Sequence, residues 1–160
     1  MKLIVFVGGS QSHIPFIEAA LDLGYTTVVF DRDENCQGAK VSDRYYNIST
    51  HDIDKIISKC YEINKRENIA GLMTYSSSSL PLIAVAKTCE KLGLSTFSSE
   101  AIELATSKKK MKRCFFKNSI PTPEWIETDN IYDINNFLSR NIEKFIIKPS
   151  TGSQGSKGVF

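Results

Sequence analysis

A short apolar run, Leu3, Ile4, Val5, Phe6 and Val7, stops at Gly8 and Gly9, and Ile14, Ile17 and Leu21 then recur at helical spacing up to Gly24. Residues 26–30 form a second, β-branched run with Asp31 at its carboxyl end. Strand, turn, helix, strand and acid in that order commit the chain to a parallel α/β sheet, whose strands are covered on both faces and read as continuous apolar runs. The alternation continues, since Ile53, Ile56, Ile57, Cys60 and Ile63 trace one face of a helix capped near Thr50 or Asp52. Residues 69–74 read as a third strand. Residues 80–92 read as a helix that accommodates Pro81 in its first turn and stops at Gly93, ahead of a short strand at 94–97. Residues 43–48 are less regular.

The register changes at Ser99, which opens a short helix, and a strongly basic helix follows over residues 107–118. The connector Ser119-Ile120-Pro121-Thr122-Pro123 is rigid, because each proline fixes its own φ and pushes its predecessor toward extended geometry. Residues 124–127 then read as a strand, 130–141 as a helix and 145–148 as a second strand. The division is a Rossmann-like domain at 1–103, a connecting basic helix at 104–118 and the incomplete start of an α+β domain at 119–160. The chain reads as the N-terminal fragment of a larger protein.

The formal net charge of +2 is too small to point to nucleic acid or an anionic membrane as a partner. Four cysteines, Cys36, Cys60, Cys89 and Cys114, stand far apart without Cys-x-x-Cys or Cys/His spacing, so neither a zinc site nor a disulfide framework is signalled. They read as reduced thiols in a cytoplasmic protein. No run approaches the ~20 apolar residues of a membrane span. His13 and His51 read as capping or surface residues.

Two glycine-containing turns carry the candidate chemistry. Gly8-Gly9-Ser10-Gln11-Ser12 lies between a strand and a helix as a dinucleotide turn does, yet lacks the third glycine of G-x-G-x-x-G, which argues against ordinary NAD binding. Gly9, Ser10 and Gln11 are either a tight turn with Ser10 or Ser12 as its cap, or a site for a small anionic or polar ligand. Asp31 either holds a ribose hydroxyl or begins a turn. Ser76 and Ser77 follow the third strand at the carboxyl edge, where α/β folds bind ligands, and read as ligand contacts or as turn and cap. The second turn comprises Gly152, Ser153, Gly155, Ser156 and Gly158. It is not a P-loop, since G-x-x-x-x-G-K-[ST] cannot be laid on it. It nevertheless offers close backbone approach and N–H donors to phosphate oxygens, and Lys148, between the apolar run 145–147 and Pro149, sets an ammonium at its base.

Taken together, Leu3–Gly9, the Val28-Val29-Phe30-Asp31 strand, Ser107-Lys108-Lys109-Lys110-Met111-Lys112, Ser119–Pro123 and Phe145-Ile146-Ile147-Lys148-Pro149 with its Gly/Ser loop resemble the ATP-grasp enzymes. The resemblance runs toward their carbamoyl-phosphate synthase, biotin carboxylase and aminoimidazole ribonucleotide carboxylase ATPase-like branch, and it covers essentially the whole chain. It implies a carboxylate ligase that uses ATP and Mg2+ to make an acylphosphate, which an amine or other nucleophile attacks. Lys108 and Lys148 resemble the family's two ATP-contacting lysines, with Lys109 and Lys110 left as alternatives to Lys108. Residues 152–158 resemble the flap over the triphosphate, and the metal ligands are expected beyond residue 160. The partners implied are a small-molecule carboxylate and a nucleophile, with a homodimer left open. The isolated chain is expected to be inactive. The rival reading is a non-catalytic Rossmann-like domain that binds a nucleotide or sugar phosphate.

Overall fold

The computed structural model describes residues 2–76, 78–140 and 144–150. It divides into two compact units, Met1–Ile102 and Glu103–Phe160.

The first unit is the parallel α/β sheet that the alternating pattern implies. Its strands are β1 (Lys2–Val7), β2 (Thr26–Asp31), β3 (Arg44–Asn47) and β4 (Asn68–Met73), in the spatial order β3-β2-β1-β4. All pairings are parallel, with Leu3 opposite Thr26 and Val7 opposite Phe30 in the β1–β2 register. The helices α1 (Ile14–Asp22), α2 (Gln37–Val41), α3 (Ile53–Asn64) and α4 (Ser79–Leu92) make the crossovers and the final cover. Successive side chains on a strand face opposite ways, and the packing follows. Leu3, Val5, Val7, Val28 and Phe30 pack against Ile56, Cys60 and Ile63 of α3 and Ala84, Val85 and Cys89 of α4. Phe6 and Val29 pack on the other face with Ile17 and Ala20 of α1 and with Cys36. Each fully buried Leu, Ile, Val or Phe contributes about 1.5–3 kcal/mol.

Two elements escape the sequence pattern. β3 is Arg44-Tyr45-Tyr46-Asn47, without a buried residue, because it is the edge strand and needs no apolar run. Its place is set instead by polar contacts. The Asp43 carboxylate accepts from the Thr27 N–H at 2.8 Å and the Thr27 hydroxyl at 3.1 Å, and Arg44 meets Glu67 through both guanidinium nitrogens at 2.6 and 2.5 Å. α2 is five residues long and contains Gly38, too little for a helical period to show. At the start of α3 the expected cap is present, with Asp52 Oδ1 accepting from Lys55 N–H at 3.2 Å.

The second unit holds α6 (Lys108–Lys117) and α7 (Ile131–Leu138), while α5 (Ser99–Thr106) crosses the division. The strands expected at 94–97, 124–127 and 145–148 are not formed among the described residues. A strand needs a neighbour's N–H and C=O groups, and apolar content without a ladder partner does not make one. None of the described residues of the second unit is buried, and Phe116 and Ile146 are 80% and 71% exposed. Residues 151–160, with Gly152, Ser153, Gly155, Ser156 and Gly158, lie outside the described residues, as does Ser77.

Cys36, Cys60 and Cys89 are buried, whereas Cys114 is half-buried. Burial, and then the nearby Cys89, push the Cys60 thiol up to about 12. The thiolate is the nucleophile, so at neutral pH a thiol reagent is expected to modify Cys114 first and Cys60 only on unfolding. Peptide mapping by mass spectrometry checks this, and equal labelling of Cys60 and Cys114 in the native chain would contradict the packing of α3 on α4.

Candidate functional site

In an open parallel sheet the crevice forms beyond the carboxyl ends of the strands, where the strand order reverses. With the order β3-β2-β1-β4 the reversal falls between β1 and β4. Three of the segments singled out in the sequence lie at that edge: the turn at Gly8–Gln11 after β1, Asp31 at the end of β2, and the segment after β4 that includes Ser76.

The turn after β1 is built from backbone constraint. Gly8 has φ +114°, and a Cβ there would lie 2.7 Å from Cε1 and Nε2 of His13. Gly9 and Gly38 approach closely, with Gly38 N–H donating to the Gly9 carbonyl at 2.8 Å. A Cβ on Gly38 would stand 2.7 Å from the Gly9 Cα. Asp31 closes the other side, accepting from Gly9 N–H at 2.8 Å through Oδ2 and from Asp33 N–H at 3.0 Å through Oδ1. The carboxylate therefore orders the turn, and the Gly9 N–H is spent on it. Ser10 and Gln11 are exposed, Gln11 opening a single 3-10 turn. Ser76 is half-buried and its Oγ accepts from Ser78 N–H at 3.1 Å, in the manner of a turn.

His13 is where the structure departs most from expectation. It is 4% exposed, not a surface residue. Its Nε2 accepts from Tyr75 N–H at 3.1 Å, and its Nδ1 lies 2.9 Å from Ser10 Oγ. Burial pushes its pKa below the ordinary ~6.5, against the opposing pull of the Asp31 charge and of the Val7 and Ser10 backbone. Two further ties join the same segments: Thr74 Oγ1 donates to the Val7 carbonyl at 2.6 Å, and the Tyr75 ring stacks on Phe16 with centroids 5.5 Å apart. His13, Ile17 and Ala20 are all buried at i, i+4 and i+7, the spacing of a core-facing stripe, and this was the signal in the sequence for the position of His13.

The second candidate site lies in the second unit. Ser107 caps α6, its Oγ accepting from Lys110 N–H at 3.3 Å. The backbone N–H of Lys108, the first residue of that helix, donates to the Ser150 carbonyl at 3.2 Å. The start of the basic helix is thus fastened two residues beyond Lys148, whose side chain is exposed. Several other bases of α6 are engaged: Lys109 and Arg113 with Glu127, Lys110 with Glu103 at 2.7 Å, and Lys112 with Thr122 Oγ1 and the Pro123 carbonyl. Lys112 therefore ties the proline connector along the helix. Chemically, a helix N-terminus and lysines beside a glycine-rich segment attract phosphate oxygens. Among the described residues no group of three His, Cys, Asp or Glu side chains is placed to hold a metal ion, and no helix is long and apolar enough to cross a membrane.

No family model and no curated protein matches the sequence. Solved structures do. N5-carboxyaminoimidazole synthetase from Staphylococcus aureus, complexed with ADP, superposes with a TM-score of 0.75 at 18% identity over 99% of this chain and 40% of its own. The biotin carboxylase domain dimer of the Hydrogenobacter thermophilus 2-oxoglutarate carboxylase, with MgADP and bicarbonate, gives 0.75 at 17% identity over 99% and 36%. Phosphoribosylglycinamide synthetase from Anaerococcus prevotii gives 0.71 at 21% identity over 92% and 36%. The chain spans 36–40% of the length of these three structures. Identities in this range carry the fold alone, and this chain shares the fold of part of these three structures, its first unit being a parallel α/β sheet.

Proposed function

We propose that this chain is the N-terminal part of an ATP-dependent ligase that activates a small carboxylate. A carboxylate oxygen attacks the γ-phosphorus of ATP, ADP leaves, and an acylphosphate forms. An amine or other nucleophile then attacks the acyl carbon and inorganic phosphate departs. Lys108 and Lys148 neutralise phosphate charge, and the loop with Gly152, Ser153, Gly155, Ser156 and Gly158 closes over the triphosphate. Mg2+, which no group of the described residues is placed to hold, would share that charge when bound. The sheet edge with Gly9, Ser10, Gln11, Asp31, Ser76 and Ser77 shapes the acceptor side.

The observation that carries the proposal is the likeness over 99% of the chain to ligases solved with ADP. The Lys108 N–H to Ser150 carbonyl bond supports pairing the two lysine segments in one phosphate site. The rival nucleotide-binding reading loses support because the Gly9 donor of the first turn is taken by Asp31.

The test is phosphate release from MgATP, over a panel of carboxylates and amines, by a polypeptide that carries this chain at its N-terminus. Release is expected to require a carboxylate, and hydroxylamine is expected to trap the acylphosphate as a hydroxamate. Carboxylate-independent release, or none with any member, would overturn the reading. The 160-residue chain alone is expected to turn over no ATP, and Mg-dependent turnover by it would refute the assignment of metal ligands elsewhere.

A further inference from the structure

His13 takes no part in the proposed phosphoryl transfer, yet it is the buried polar side chain at the point where the first unit's two edge segments meet. We propose that His13 is a positioning residue: as a neutral Nδ1–H imidazole it locks the turn after β1 to the segment after β4, and holds Ser10 as an outward hydrogen-bond donor to an anionic ligand. The tautomer follows from the partners. Tyr75 N–H is a backbone donor, so Nε2 must carry the lone pair that accepts it, 3.1 Å away. In a neutral ring the proton then resides on Nδ1 and is donated to Ser10 Oγ at 2.9 Å. With a lone pair so occupied, the exposed Ser10 hydroxyl directs its own proton elsewhere, where a carboxylate or phosphate oxygen can accept it.

Gly8 makes the arrangement possible by leaving the ring its space, since any Cβ there would stand 2.7 Å from Nε2. The link is also a titrating one. Burial favours the neutral ring, while Asp31 is the charged group acting on it and, with the Val7 and Ser10 backbone, favours the cation. Protonation at Nε2 would set a donor against the Tyr75 donor and open the lock. Because the folded pKa is depressed, the unfolded chain binds the proton first. The contribution of His13 to stability is whole above ~6.5 and declines as pH falls from there through the lowered native value.

The ligand part of this proposal rests on the reading of the sheet edge as the acceptor side, whereas the lock stands on its own geometry. On the 160-residue chain, the imidazole nitrogens are read by 15N NMR and the Tyr75 amide by hydrogen exchange. Expected are an Nδ1–H tautomer, Tyr75 exchange at least about tenfold faster in His13→Ala, and protection retained in His13→Gln, whose amide oxygen replaces Nε2 as acceptor without titrating. The pH dependence of the Tyr75 amide shift is expected in the unmodified chain and absent from His13→Gln. An Nε2–H tautomer in the unmodified chain would overturn the proposal even if His13→Ala failed to fold, and so would unchanged Tyr75 protection in a folded His13→Ala. Sodium acetate and inorganic phosphate are then titrated in turn. A Ser10 amide response that is weakened in His13→Ala is expected. An equal response in both overturns the positioning role, and no response in the unmodified chain, with the lock intact, overturns the acceptor reading instead.

Discussion

Lys148→Ala is expected to lower carboxylate-dependent phosphate release about 10²–10³-fold in a polypeptide that carries this chain at its N-terminus, the loss typical of removing one preorganised group from a developing oxyanion. Lys148 is exposed and precedes Pro149, so its ammonium is available to a ligand at the base of the glycine-rich segment. Two residues on, the Ser150 carbonyl accepts from the Lys108 N–H at 3.2 Å, which sets residue 150 against the N-terminus of α6. Phosphoryl transfer offers the protein little to do beyond positioning and charge stabilisation, so a lost ammonium acts on the chemical step. The decrease is expected in kcat, with Lys148→Arg retaining more activity than Lys148→Ala. Because the side chain is exposed, the unfolding midpoint should not move. Unchanged substrate-dependent turnover in Lys148→Ala would remove Lys148 from the phosphate site.

Gly8→Ala is expected to destabilise the first unit by about 2–6 kcal/mol, combining backbone strain of about 1–3 kcal/mol with overpacking of about 1–3 kcal/mol. Both causes are local and separable. At φ +114° a Cβ is sterically disfavoured whatever surrounds it. The same Cβ would also press on the His13 ring at 2.7 Å, and that ring is buried and held at both nitrogens. Urea unfolding followed by circular dichroism should show a midpoint lowered by about 1–3 M for a slope of about 2 kcal/mol/M. In the double variant Gly8→Ala/His13→Ala the overpacking should be relieved and the strain retained, so the two substitutions should be less than additive. Full additivity would show that the ring is not what the new methyl meets.

Legibility in the sequence differed between elements for a physical reason. β1, β2 and α3 announce themselves, because strands covered on both faces and a helix with one covered face repeat apolar residues at fixed periods. β3 and α2 do not. The edge strand Arg44–Asn47 has no buried residue, and α2 is short, so their positions come from Asp43, Arg44 and the Gly9–Gly38 approach. In the second unit the apolar run 145–147 suggested a strand, yet strand formation depends on a partner that an apolar run does not supply. Lys148 and the Gly/Ser loop were legible as a phosphate-binding pattern, Lys108 only through the resemblance to the ATP-grasp enzymes, and their roles are the proposal that Lys148→Ala examines.

The sequence by itself determined the parallel α/β class and the cores of β1, β2 and α3 in the first unit, which follow from local periodicity. Only the tertiary structure decided what happens at the sheet edge. It put the β1/β4 reversal beside the Gly8 turn, gave the Asp31 carboxylate to Gly9 N–H, and buried His13 between Ser10 and Tyr75. His13 and Tyr75 stand 62 positions apart in the chain. A hydrogen bond across that separation depends on the strand order, which no local pattern of residues encodes.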